Sequence, residues 1–184
     1  MNLSNWVERQ ADFVPDRCAI RFSGEQISYA ELARRVNRLA DSLANRLDIG
    51  HGDRVAFLGL NSPEIIVLLF ACARVGAVLM PLNWRLAQPE HIFMLRQSEP
   101  CAFFVDPEFA DHVARLRPEI GAIQLINYGK SRDGWLSYDK LVSQGSTTSQ
   151  SFADTHSDDP VLLCYTSGTT GKPKGALLSN DALT

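Results

Sequence analysis

Residues 54–82 read RVAFLGLNSPEIIVLLFACARVGAVLMPL, and this stretch decides the fold. Arg54–Leu60 is a short apolar run entered through the turn Gly50-His51-Gly52-Asp53, which predicts a buried strand. Ser62-Pro63-Glu64 carries the marks of a helix start, with serine as N-cap and proline at the first helical position. A helix over Pro63–Val75 then stops at Gly76, and Ala77–Leu82 is again apolar enough for a buried strand. From Ile65 to Leu82 the chain runs eighteen residues with Arg74 as its one charge, near the lower limit for a membrane span. A central arginine costs roughly 2.5–3.5 kcal/mol on insertion. Gly76 and Pro81 also interrupt the run, so it is read as protein core.

The same alternation extends in both directions. Leu3, Trp6, Val7, Phe13 and Val14 space as a short amphipathic opening helix. Cys18–Phe22 and Gln26–Ser28 flank Ser23-Gly24-Glu25 as a small hairpin. Ser28, with Glu31 three residues on, forms a capping box for a long helix with the inward stripe Leu32, Val36, Leu39, Ala40, Leu43 and Leu47. Arg34, Arg35, Arg38, Asp41 and Asn45 are placed on its solvated face. Downstream come a helix around Pro89–Gln97, a strand Ala102–Val105, a helix Pro107–Arg115 and a strand Ala122–Ile126. Strands that are apolar throughout, alternating with helices, predict an α/β fold: a largely parallel sheet flanked by helices. Trp135–Val142 reads as a short helix, and the polar segment of about 143–157 is expected to be mobile.

A second stretch carries the chemistry. Val161–Cys164 predicts a buried strand, followed by Tyr165-Thr-Ser-Gly-Thr-Thr-Gly-Lys-Pro-Lys-Gly175. Glycines let successive backbone N–H groups face one anion, hydroxyls add donors, and lysine adds a compact charge. Such a loop suits a polyphosphate; the plain alternative is a solvated glycine-rich hairpin loop. A Walker A loop needs Gly five positions before its Gly-Lys, where this chain has Thr166, and Pro173 follows the lysine. This is another class of phosphate loop.

The stretch resembles the signature of the AMP-forming adenylating superfamily, which includes acyl-CoA synthetases, luciferase-like enzymes and peptide-synthetase adenylation domains. Tyr165–Gly175 matches every fixed position, with Lys172 in the variable one. Ile27–Leu32 and Val75–Asn83 are similar to two earlier motifs, and Asn83-Trp84-Arg85-Leu86 resembles fatty-acyl and aryl-CoA ligases rather than peptide synthetases. Ser179-Asn180 departs from the family's frequent Ser/Thr-His, so nothing about the acyl group is inferred from that position.

The resemblance implies that a carboxylate, a fatty acid first among candidates, attacks the α-phosphate of ATP with magnesium assisting. The thiol of coenzyme A then displaces AMP. Carried over residue by residue, Thr166, Ser167, Thr169 and Thr170 would donate to the β- and γ-phosphates, Gly168 and Gly171 would permit close backbone approach, and Lys174 would be the catalytic charge. The implied adenine, ribose and magnesium ligands and a C-terminal lysine lie downstream of this loop, and no metal ligand is placed on this chain. The 184 residues are therefore expected to be an incomplete N-terminal portion of the AMP-binding domain, inactive alone. Asn180, read as the N-cap of a helix with four residues after it, points the same way. An amino-acid or luciferase-like adenylating domain, and a non-catalytic remnant acting as a binding or dimerisation module, stay open.

Composition narrows the partners. Hydrophobic residues make up 45% and charged ones 21%, with a net charge of −3, so there is no general attraction to nucleic acid or anionic lipid. The four cysteines are scattered without a CxxC pair, and Asn2, Ser4, Asn5, Glu8 and Arg9 break any signal-like start, which fits a reducing cytoplasm. His51, His91, His112 and His156 are read as isolated, and Asp158-Asp159 before Pro160 as turn chemistry. The expected partners are a small carboxylic acid, ATP and CoA, with a homo-oligomer possible through an open sheet edge.

Overall fold

The computed structural model describes residues 3–129, 132–148, 156–166 and 173–183. Helix α1 (Ser4–Phe13) opens the chain, and strands β1 (Cys18–Phe22) and β2 (Glu25–Ser28) form a separate antiparallel hairpin. Helix α2 (Tyr29–Leu47) follows, then β3 (Arg54–Leu58), α3 (Pro63–Val75), β4 (Val78–Pro81), α4 (Gln88–Ser98) and β5 (Ala102–Val105). A 3₁₀ turn at Pro107–Phe109 leads into α5 (Ala110–Leu116), followed by β6 (Gln124–Asn127), β7 (Leu136–Ser137) and α6 (Tyr138–Gln144). Strands β8 (Pro160–Thr166) and β9 (Lys174–Ser179) and the short α7 (Asn180–Leu183) complete the order.

Seven strands make one sheet in the order β7-β6-β5-β3-β4-β8-β9, parallel throughout except for the antiparallel pair β8–β9. The alternation of strand side chains explains why β3 is apolar at every position but its first. Val55 and Phe57 join Leu39, Leu43 and Leu68 of α2 and α3 on one face, while Ala56 and Leu58 join Met94 and Leu116 of α4 and α5 on the other. Helix α3 is bounded as its sequence requires: extended Ser62 and Pro63 start it, and Gly76 ends it in the left-handed region at φ 76°. A Cβ on Gly76 would also press within 3.1–3.3 Å of His51. Arg74, the lone charge of that stretch, is buried and pairs with Glu8 of α1 at 2.6 Å.

Several expectations shift. Ser28 Oγ accepts from the Glu31 N–H at 3.2 Å, but the Glu31 carboxylate turns to Arg34 and Arg35. Trp135–Val142 resolves into the two-residue β7 and the helix α6, and β9 was not read from the sequence at all. Of the α2 residues assigned to solvent, Arg34 and Asn45 are exposed and Asp41 is buried, and neighbouring polar residues of the helix are covered with it. Ser42 Oγ donates to the Leu141 carbonyl (2.6 Å), Asn37 Nδ2 to that of Thr147 (3.3 Å), and Asp41 Oδ2 accepts from the Ser146 N–H (3.0 Å). Gly145 lies so close that a Cβ there would come within 2.0 Å of the Arg38 carbonyl oxygen. Of the polar segment expected to be mobile, residues 145–148 run along α2 in this way, and 149–155 fall outside the described residues.

Candidate functional site

The predicted phosphate loop connects β8 to β9 at the edge of the sheet. Ser167, Gly168, Thr169, Thr170, Gly171 and Lys172 lie outside the described residues, whereas Thr166 and Lys174 are described. These two face each other in register as the last pair of the hairpin, and Thr166 Oγ1 donates to the Lys174 carbonyl at 3.4 Å. Both residues are exposed, one on each strand at the end of the hairpin. The next pair inward is Tyr165 with Gly175. A Cβ on Gly175 would meet Leu163 Cδ1 at 2.8 Å and the Tyr165 ring at 3.5 Å, so this glycine is demanded by close strand packing. Tyr165 donates its hydroxyl to Gln97 Oε1 of α4 at 3.2 Å, and burial pushes its phenol pKa up.

The far end of the hairpin is pinned by Asn180. The residue expected to cap a helix is its first helical residue instead, and Ser179 Oγ accepts from the Ala182 N–H at 3.4 Å. Asn180 is 1% exposed; its Oδ1 accepts from the Leu3 N–H (2.9 Å) and its Nδ2 donates to the His156 carbonyl (3.1 Å). Asp159 Oδ2 accepts from the His156 N–H at 2.7 Å, the turn chemistry its sequence indicated, and lies 3.2 Å from His51 Nε2. The His156 N–H first, then His51, hold the Asp159 carboxyl below the usual range.

Beside the hairpin, β4 runs parallel to β8 with Leu79 against Leu162, so the turn after β4 leaves the same edge of the sheet. There the Asn83 carbonyl accepts from the Leu86 N–H (3.1 Å), and Asn83 Oδ1 accepts from the Arg85 N–H (3.1 Å). The Arg85 guanidinium lies 4.2 Å over the Trp84 ring, whose other neighbour is Phe109 at 6.2 Å. His91 and His112, isolated in sequence, meet at 2.9 Å under this turn. Their 21-residue separation across two helices and a strand gives no periodic signal that could have joined them. Among the described residues, no three His, Cys, Asp or Glu side chains gather as a metal group.

Ligands fit the carboxyl ends of parallel strands in an α/β sheet, and Thr166 and the Asn83–Ala87 turn lie at that end here. Among the described residues, no helix is long and apolar enough to cross a membrane. The chain is 45% identical over 183 residues to an indoleacetate–CoA ligase of Aromatoleum aromaticum, covering 100% of this chain and 36% of that protein. It is 38% identical over 182 residues to a feruloyl-CoA synthase of an Amycolatopsis species, covering 99% of this chain and 34% of that one. In structure it is similar to a putative long-chain-fatty-acid CoA ligase from Rhodopseudomonas palustris (TM-score 0.89, 30% identity, 98% of this chain and 44% of that one). An anthranilate–CoA ligase in complex with anthranoyl-AMP is also similar (TM-score 0.92, 25% identity, 98% and 35%). The chain thus spans about a third of the length of the curated relatives it matches. With residues 7–184 matching the AMP-binding enzyme family, the chain belongs to that family.

Proposed function

We propose that this chain is the phosphate-loop portion of an ATP-dependent, AMP-forming acid–CoA ligase. The observation that carries the reading is the pairing of Thr166 with Lys174 at the mouth of the β8–β9 hairpin. That pairing brings a hydroxyl and a primary ammonium, eight positions apart in sequence, to opposite sides of one opening. Groups fixed there stabilise charge that builds on a departing pyrophosphate without reorganising. Ser167, Gly168, Thr169, Thr170 and Gly171 would complete the phosphate donors, and Lys174 would supply the charge. ATP would supply the activated adenylyl group and release pyrophosphate, magnesium would offset the phosphate charge, and CoA would supply the accepting thiol. The residues of this chain bind and orient those oxygens.

The names of the relatives support a carboxylic acid substrate and move an aromatic acid ahead of a fatty acid as the first to test. Indoleacetate and ferulate, both aryl acids, are the acids of the two sequence relatives above. Thioester formation by the full-length protein carrying this chain, measured with ATP and CoA over indole-3-acetate, ferulate, benzoates and fatty acids of graded length, tests the reading. Activity with at least one acid, accompanied by AMP release, is expected. Release of ADP, or no thioester from any acid by folded protein, would refute it. The 184 residues alone are expected to form no thioester.

A further inference from the structure

His91 sits in the first turn of α4 and is 0% exposed. Its Nε2 is 3.0 Å from the Asn83 carbonyl oxygen, and its Nδ1 is 2.9 Å from His112 Nε2 on α5. The rings stand at 90° with centroids 5.0 Å apart. A carbonyl can only accept, so His91 Nε2 carries the hydrogen. In the neutral ring Nδ1 is then bare, and His112 must donate to it from Nε2. The tautomer of His112 thereby fixes that of His91, which fixes the bond to Asn83.

This relay holds one added proton and no more. The first goes to His112 Nδ1 on the less buried ring and leaves every hydrogen bond in place. A second, on His91 Nδ1, would set N–H against N–H at 2.9 Å and part the rings. Burial, foremost, pushes both imidazoles below their usual range. The Asn83 carbonyl and Glu90 act the other way on His91, while His91 and Arg115 add to the effect on His112. The charged groups that act on the pair are Glu90 of α4, bonded to the Ala87 N–H, and Arg115 of α5, with Asp111 next to His112 in sequence. Asp111 is itself paired with Arg132.

The held element lies at the proposed site. Counting along β4 and β8 from Leu79 opposite Leu162 brings Asn83 level with Thr166. Adjacent strands lie about 4.8 Å apart, so the Asn83–Ala87 turn begins beside Thr166 at the end of β8. We propose that His91 and His112 form a one-proton latch that fixes the Asn83–Ala87 turn, making His112 a positioning residue that acts through His91. Its effect on activity rests on the ligase reading; the latch itself does not.

Nuclear magnetic resonance of ¹⁵N-labelled protein tests the latch through the histidine ring nitrogens and the Trp84 indole N–H. At neutral pH His91 is expected to be protonated at Nε2 and bare at Nδ1. On acidification the first proton, on His112, should leave the Trp84 signal in place, and the second, on His91, should shift it. His112→Ala should displace the Trp84 signal at neutral pH. His112→Gln, whose amide N–H reaches where Nε2 did, should restore it. A Trp84 signal indifferent to both pH and His112→Ala, or no restoration by glutamine, overturns the latch. In the ligase assay His112→Ala should raise KM about fivefold, the net share of one ordinary hydrogen bond, with kcat less affected and glutamine restoring it. An unchanged KM in an active enzyme overturns the positioning role. A wild-type enzyme without ligase activity refutes the ligase reading, while the resonance experiment still decides the latch.

Discussion

Replacing Asn180 by alanine removes the clamp that ties β9 to both α1 and the turn before β8. Two hydrogen bonds go at once, from the Leu3 N–H at 2.9 Å and to the His156 carbonyl at 3.1 Å. Each is worth about 1 kcal/mol net. Leu3 is 5% exposed and packs with Ala73 and Val161, so its amide would stay dry and unpaired. That adds about 1 kcal/mol more, for a total near 3 kcal/mol. For a chain of this size each kcal/mol lowers Tm by about 2–4 °C, so the expected loss is about 6–12 °C. Thermal unfolding followed by circular dichroism measures it. The control is Ser179→Ala, which removes only an exposed 3.4 Å contact and should cost less than about 1 kcal/mol. If the two variants melt within about 2 °C of each other, Asn180 is not the clamp described here.

Gly145→Ala should also destabilise strongly, by about 2–4 kcal/mol, because the new methyl meets backbone at Arg38 and lifts residues 145–148 from α2; a variant as stable as wild type by chemical denaturation would contradict that contact. Lys174→Ala in the full-length enzyme is expected to slow ATP–pyrophosphate exchange by a factor of about a hundred to a thousand, the usual effect of losing one preorganised donor; an unaltered rate removes Lys174 from the site. Asp159 is held below the usual range, so its share of stability is present above pH about 4 and lost as pH falls through the lowered value. Asp159→Asn should therefore lower Tm at pH 7 and converge with wild type as the pH falls through the lowered value, and a gap that persists below it would show the carboxylate is not responsible.

The sheet was legible wherever a residue's polarity reports its surroundings. In β3 and β5 every position but Arg54 is buried on one face or the other, so Val55–Leu58 and Ala102–Val105 read directly as central parallel strands. In helix α2 the pattern placed Asp41 in solvent, whereas Asp41 is buried together with Asn37 and Ser42. Their partners are backbone groups of Leu141, Ser146 and Thr147, about a hundred residues away, and such pairing leaves no mark in local sequence. Strand β9 was missed for a related reason. Lys174 and Gly175 look like the end of a loop, and only the ladder to β8 makes them a strand. At the site, the signature marked Thr166 and Lys174, but their register across the hairpin and the His91–His112 contact belong to tertiary structure alone.

The hairpin that bears the signature also closes over a short span of chain. Val55 meets Leu79 24 residues on, and Phe103 meets Leu125 22 residues on, so the middle of the sheet is sewn from neighbours. Leu79 waits 83 residues for Leu162, whereas Thr166 and Lys174 are 8 apart. Closing the longer span costs about 2 kcal/mol more in chain entropy than closing the shorter one. Chain entropy therefore favours pairing within the β8–β9 ribbon over its attachment to β4, so the stretch that carries the signature closes on itself more cheaply than it joins the sheet.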